Sequence, residues 1–134
     1  MANEAVLVQQ LEDRLLEVTI ADTAFEKGTV LKLSDPNTGA ASSADGDIFL
    51  GILATEKVSG DGQTRVAVWR HGVFDMKNVT GETITAGAPV KISGANLITI
   101  ADDDTVENAG QVIGIALQSA TSGEVIEVLV GAVA

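Results

Sequence analysis

Cysteine and tyrosine are missing from the 134 residues, and the chain has one Trp, one His and two Pro. Without cysteine there is no disulfide framework, no thiolate zinc or iron–sulfur site and no thiol nucleophile. A single histidine excludes His-rich metal sites and leaves little choice of acid–base catalyst. Basic residues are scarce, 8 Lys+Arg against 19 Asp+Glu for a formal charge of −11, and aromatics make up 3%. The chain therefore lacks both the basic footprint and the stacking platforms of a nucleic-acid binder, and no nucleic-acid partner is expected. Its apolar runs fall far short of the roughly 20 residues that span a bilayer, so no membrane partner is expected. The opening Met1-Ala2-Asn3-Glu4 carries an acid where an export signal needs a basic stretch, so the protein is expected to stay where it is made.

What is present is apolar and β-branched. Hydrophobic residues reach 46%, too many for disorder, in a length that suits one domain with a real core. Short runs of Val, Ile, Leu and Thr are cut by Gly, Asp, Asn and Ser about every ten residues. Strands are expected at Thr29–Leu33, Ile48–Glu56, Thr64–His71, Val73–Met76, Pro89–Ile92, Leu97–Ile100, Gln111–Gln118 and Glu124–Val130. Val66 and Val68 alternate with Arg65 and Ala67, as in a half-buried antiparallel strand. In the last strand neither face is wholly polar, which predicts cover on both sides. Ser59-Gly60-Asp61-Gly62 and Ser122-Gly123 read as hairpin turns, since glycine enters the left-handed region without strain. Asp35–Gly39 reads as a turn leading into an exposed loop, Ala40–Ala44, and Asp102–Asp104 as a loop before a short helical turn at Thr105–Ala109.

A weak internal repeat runs through the chain. Phe25-Glu-Lys-Gly28-Thr-Val-Leu-Lys32-Leu-Ser34 aligns with Ile84-Thr-Ala-Gly87-Ala-Pro-Val-Lys91-Ile-Ser93, and Leu50-Gly51-Ile52-Leu53-Ala54 with Ile113-Gly114-Ile115-Ala116-Leu117. The expected fold is all-β: a small closed barrel or sandwich built from two weakly repeated halves, with closure removing the edges that would aggregate. Residues 1–20 stand apart as an N-terminal arm, and residues 21–134 form a single β domain. In the arm Leu7, Leu11, Leu15 and Val18 share a helical face, although Leu16 breaks the stripe. The segment is either a helix or strand packed on its own barrel, or an arm that docks on a partner through Val6, Leu7, Val8, Leu11, Leu15 and Leu16.

Motifs for chemistry are weak. Gly60-Asp61-Gly62 opens like a dinucleotide fingerprint but lacks the third glycine and precedes a strand. Asp45, Asp47 and Asp102–Asp104 do not follow a calcium-loop pattern, so no metal is expected. Asn78-Val79-Thr80 is a formal glycosylation sequon with no export signal to give it meaning. Trp69-Arg70-His71 reads as a packed barrel end or an interface anchor rather than a catalytic group, even with Asp75 nearby. Met76-Lys77 invites comparison with biotinyl and lipoyl carrier domains, which present a lysine at a hairpin tip. A carrier or small-ligand-binding β domain using Lys77 is therefore the alternative reading, although the usual flanking residues are absent.

Several segments together carry a resemblance. They are Met1–Leu7, Leu11–Asp13, Ile20–Asp22, Glu26–Leu33, Ala44–Ile52, Glu56–Val66, Arg70–Met76, Val112–Leu117 and Gly123–Val128. Over nearly its whole length the chain resembles the capsid cement, or head decoration, proteins of tailed bacteriophages. The resemblance implies a non-enzymatic protein, without cofactor, that binds the outer surface of the expanded icosahedral head. It would stabilise contacts between subunits of the major capsid protein, often as a homotrimer, after synthesis in the host cytoplasm. An arm spanning Ala2–Leu16 would lie on the capsid. The quoted segments define a fold and do not by themselves transfer contact residues.

Overall fold

Strands form wherever β-branched runs are flanked by residues that can turn, and the turns recur at matching places in the two halves. The computed structural model describes residues 3–9, 15–101 and 109–131. Among these the strands are β1 (Val6–Gln9), β2 (Leu16–Ile20), β3 (Val30–Asp35), β4 (Thr38–Ala41), β5 (Phe49–Leu53), β6 (Arg65–Trp69), β7 (Gly72–Asn78), β8 (Pro89–Ile92), β9 (Leu97–Ile100), β10 (Val112–Ala116) and β11 (Val125–Val130). A single 3₁₀ turn, Ala109–Gln111, leads into β10.

The all-β expectation of closed, repeated halves holds, but each half closes separately. β2-β4-β3-β5-β6 form one closed barrel; β7-β11-β10-β8-β9 return to β7 as a second, with β1 added on β7. The two have the same topology. β2 runs parallel to β4 as β7 does to β9, and every other pairing is antiparallel. Matching turns use matching bonds: Gly28 N–H donates to Leu53 O at 2.9 Å, and Gly87 N–H to Ala116 O at 2.7 Å. Asn37 and Asn96 both turn the first hairpin in the left-handed region, at φ 54 and 57, which asparagine tolerates better than most residues.

A strand glycine sits at the same bulged place in each barrel. A Cβ on Gly51 would lie 2.6 Å from Val68 Cγ2, and one on Gly114 would run into the Leu129 carbonyl oxygen. The absence of a side chain lets the strands approach and bend closed there.

The halves are packed on each other. Val30, Phe49 and Ile52 of the first barrel join Phe74, Ile92, Ile113 and Val128 of the second in one buried cluster. Asn96 stitches the seam: its side-chain oxygen accepts the Val30 N–H at 2.8 Å, while its own N–H donates to Ser42 Oγ at 3.0 Å. A second cluster, including Val18, Ile20, Leu31, Leu53 and Val68, fills the first barrel.

Several expectations change. Thr38–Ala41, read as the end of the Asp35–Gly39 turn and the start of the Ala40–Ala44 loop, is strand β4, with Gly39 and the following Ser42 buried. Small residues are needed because a Cβ on Gly39 would press on Leu50 and Leu31. β11 is fully covered on one side, where Ile126, Val128 and Val130 are buried, and partly on the other, where Glu127 and Leu129 are half-buried and Val125 is exposed. The helical stripe is replaced by two strands, with Leu7 in β1 and Leu16 and Val18 in β2. β2 is a wall of the first barrel, although it lies within the stretch 1–20 read as an arm. Leu11, Asp102–Asp104 and most of Thr105–Ala109 lie outside the described residues.

Candidate functional site

The arm residues are split between two places. Ala5 is buried and donates its N–H to Gly28 O of the first barrel at 2.7 Å, while Val6, Leu7 and Gln9 pair with Asp75, Phe74 and Val73 of the second. β1 is thus a strap across both barrels. Leu7 packs against the core, whereas Val6 and Val8 are 58% and 46% exposed. Leu15 and Leu16, at the start of β2, are 43% and 44% exposed. Four of the sequence-chosen residues therefore present apolar surface, and Leu7 does not.

Trp69-Arg70-His71 forms the joint between the barrels, at the end of β6 and the approach to β7. Trp69 is half-buried and packs against the shared core. Arg70 donates to the carbonyl oxygens of Phe49 and Leu50 at 3.1 and 2.7 Å, with its guanidinium 5.4 Å from the centre of the Phe49 ring. The guanidinium thus caps the end of β5, and a cation over an aromatic face adds a modest attraction. His71 is exposed and lies close against Gly131. Asp75 is held in mid-strand opposite Val6 and Glu127.

Lys77 is not at a hairpin tip. It lies inside β7, paired with Val125 on one side and Leu97 on the other, which removes the presentation a carrier lysine needs. Asp47 accepts the N–H groups of Ser43 and Ala44 at 2.9 Å, and Asp45 pairs with Lys91 at 3.5 Å, so both carboxylates serve the loop and the seam. Among the described residues no group of three or more His, Asp or Glu side chains is placed to hold a metal ion. Asn78, the sequon asparagine, is buried and donates to the carbonyl oxygens of Glu82 and Thr121 at 2.7 and 3.0 Å.

One polar cluster escaped the sequence reading. Lys57, only 2% exposed, places Nζ 2.6 Å from both Asp22 and Asp61 and 3.1 Å from Val58 O. Asp22 also accepts the N–H groups of Gly60 and Gly62, at 3.1 and 3.2 Å, and Asp61 accepts that of Gln63 at 2.9 Å. Burial opposes the lysine charge, but the hydrogen bonds and attraction of Asp22 and Asp61 outweigh it and raise the pKa above 10.5. The Asp61 pKa is lowered, first by Lys57 and then by the Gln63 N–H. The cluster ties the β5–β6 loop to the β2–β3 loop. Asp61, four residues beyond Lys57, was visible in the sequence; Asp22, 35 residues before it, was not.

The arrangement contains exposed apolar strand ends, a clamped joint and ionic latches, with no assembled catalytic group among the described residues. Comparison with known proteins agrees with the architecture. A solved structure titled as the head fiber gp8.5 N base in bacteriophage phi29 is similar in fold, with a TM-score of 0.52 and 14% identity. The match covers 87% of this chain and 92% of that one. A search of curated proteins finds no match. The family model described as phage cement protein matches residues 9–132, so the chain belongs to the phage cement protein family and has a structural role at the phage capsid.

Proposed function

We propose that this protein decorates the outer surface of the expanded icosahedral head and stabilises contacts between subunits of the major capsid protein. It works as a homotrimer on the virion exterior after synthesis in the host cytoplasm. Family membership over nearly the whole chain is the observation that carries this reading. The fold suits it: two closed barrels offer few edges for stray pairing, and a packed, cross-braced joint resists shear. Several modest contacts per oligomer combine through effective concentration, so no single strong site is required.

The proposed contact surface is the N-terminal segment. Val6 and Val8 on β1 and Leu15 and Leu16 before and in β2 supply its exposed apolar side chains. Leu7 holds the segment down from inside, and Leu11 belongs to the same proposed surface by sequence. Trp69, Arg70 and His71 are proposed as a second interface at the joint. The test is co-sedimentation of the purified chain with undecorated expanded heads. Binding in many copies per head is expected, and failure to sink with heads that bind a control decoration protein overturns the proposal. Val6→Asp with Val8→Asp should weaken binding at least about tenfold without unfolding the chain, because both side chains already face water. Deleting the whole segment is a poorer test, because it strips Ala5 and Leu7 from the core.

A further inference from the structure

Among the described residues the repeat is unequal at one strand edge. Thr19 stands opposite Thr38 and Arg65, as Lys77 stands opposite Leu97 and Val125, so the registers of β2 and β7 match position by position. Stepping back along both strands, Glu17 matches Asp75, Leu16 matches Phe74 and Leu15 matches Val73. In the second barrel β1 covers that stretch: Leu7 pairs with Phe74, which is 1% exposed. In the first barrel β6 pairs with the same stretch, but no described strand pairs with it on the opposite, β4 side, and Leu16 is 44% exposed.

The β4 side of that stretch carries backbone groups as well. Ile20 donates its N–H to Thr64 O beside β6, whereas Thr19 donates to Asn37 O on the β4 side. Alternate strand residues point opposite ways, so the N–H of Glu17 points to the β4 side. β4 pairs only from Thr19 onward and does not reach it.

β1 has the complementary deficiency. It ends its sheet, pairing with β7 on one side only. A groove of about 460 Å³ lined by Glu4, Ala5, Val6, Leu7 and Lys27 lies along it. The strand is uncharged and proline-free, so its protection as an edge rests on its shortness and the bulge between Leu7 and Gln9.

We propose that the Leu15–Glu17 edge of β2 receives β1 of a second copy, antiparallel, so that the β7–β1 sheet of one copy continues into the first barrel of the next. The chain itself shows which strand fits such an edge, because β1 already occupies the equivalent place on β7. Leu7 of one copy then lies beside Leu16 of the next on the inner face, as it lies beside Phe74 within its own chain. The contact joins two different surfaces, so repetition gives a ring where the rotation closes, as the proposed homotrimer requires. This rests on the reading that copies associate, and names where they do.

Analytical ultracentrifugation of the full chain tests it. The wild type is expected to form a closed oligomer. Glu17→Pro, which deletes the edge N–H, and Leu16→Asp should each raise the dissociation constant about tenfold or more, whereas Glu17→Ala should not. If Glu17→Pro loses its far-ultraviolet β signal, Leu16→Asp decides, because its side chain is already exposed. A wild type that stays monomeric at millimolar concentration overturns the proposal, as do variants that associate like the wild type. Leu16→Asp that associates normally overturns it too, whether or not head binding falls, because Leu16 is also part of the proposed shell contact. Normal head binding by Glu17→Pro, at a residue outside the proposed shell contact, leaves the cement reading standing whichever way association falls.

Discussion

Lys57 and Ala120 occupy the same place in two barrels of one topology, each forming the same isolated bridge, to Phe25 in the first case and to Ile84 in the second. Both are buried, yet one is a charged amine held by two carboxylates and the other a methyl group. At the corresponding end of the second barrel the polar work falls to a neutral group, Asn78, where the first barrel has Ile20. The backbone scheme is therefore fixed by turns and bulges, while the means of closing a barrel end is interchangeable. A buried ion pair needs both partners charged, whereas an amide bonded to carbonyl groups does not depend on pH.

The largest effects should come from what the barrels share. Gly114→Ala should cost about 3 kcal/mol or more in chemical denaturation, because the added methyl meets a backbone carbonyl that cannot move aside. Gly51→Ala should cost less, about 1–2 kcal/mol, since its nearest obstacle is a valine methyl. Equal costs would show that the two bulges are closer in geometry than these contacts imply. Asn78→Ala should cost about 1–2 kcal/mol, because a buried side chain is cut back and two part-buried hydrogen bonds to carbonyl groups are lost.

The pH response separates the barrels further. Asp61 has a lowered pKa, so its stabilisation is present above the ordinary carboxylate value and lost as pH falls through its folded value. Lys57 has a raised pKa, so its contribution is present below 10.5 and lost as pH rises through its folded value. Glu124 in the second barrel is also lowered, by the backbone N–H and then the hydroxyl of Thr121, so acid weakens both ends. Only the first barrel should loosen at both extremes. Protection of residues 58–63 against amide exchange, taken relative to the intrinsic rate at each pH, should fall on the acid side of the ordinary carboxylate range and on the alkaline side of the ordinary lysine range, and Lys57→Met should remove the alkaline loss. An alkaline loss that survives in the variant would assign it to another group. Arg65→Ala should be the mildest change, within about 0.5 kcal/mol, since its pairing with Glu17 is exposed.

Much of this was legible in the repeat. Gly28 with Gly87, Lys32 with Lys91 and Gly51 with Gly114 mark equivalent places, and the strands around them followed. Separate closure of each half was not legible, because it depends on β4 and β2. Thr38–Ala41 is built of small residues that suit a loop composition, yet only small residues fit beneath Leu31 and Leu50. In the first twenty residues the leucine spacing satisfies a helical period, and tertiary pairing with β7 and β6 decides for strands. The apolar arm residues were readable as a set. Which of them face water depends on where β1 straps across the barrels, a contact between segments far apart in sequence.

Cryo-electron microscopy of undecorated expanded heads incubated with the chain bears most directly on the central claim of a cementing role. Repeated density is expected on the outer surface, bridging neighbouring capsid subunits and reached by Val6 and Val8. A shell with no added density, or with density that touches a single subunit and bridges none, would contradict it.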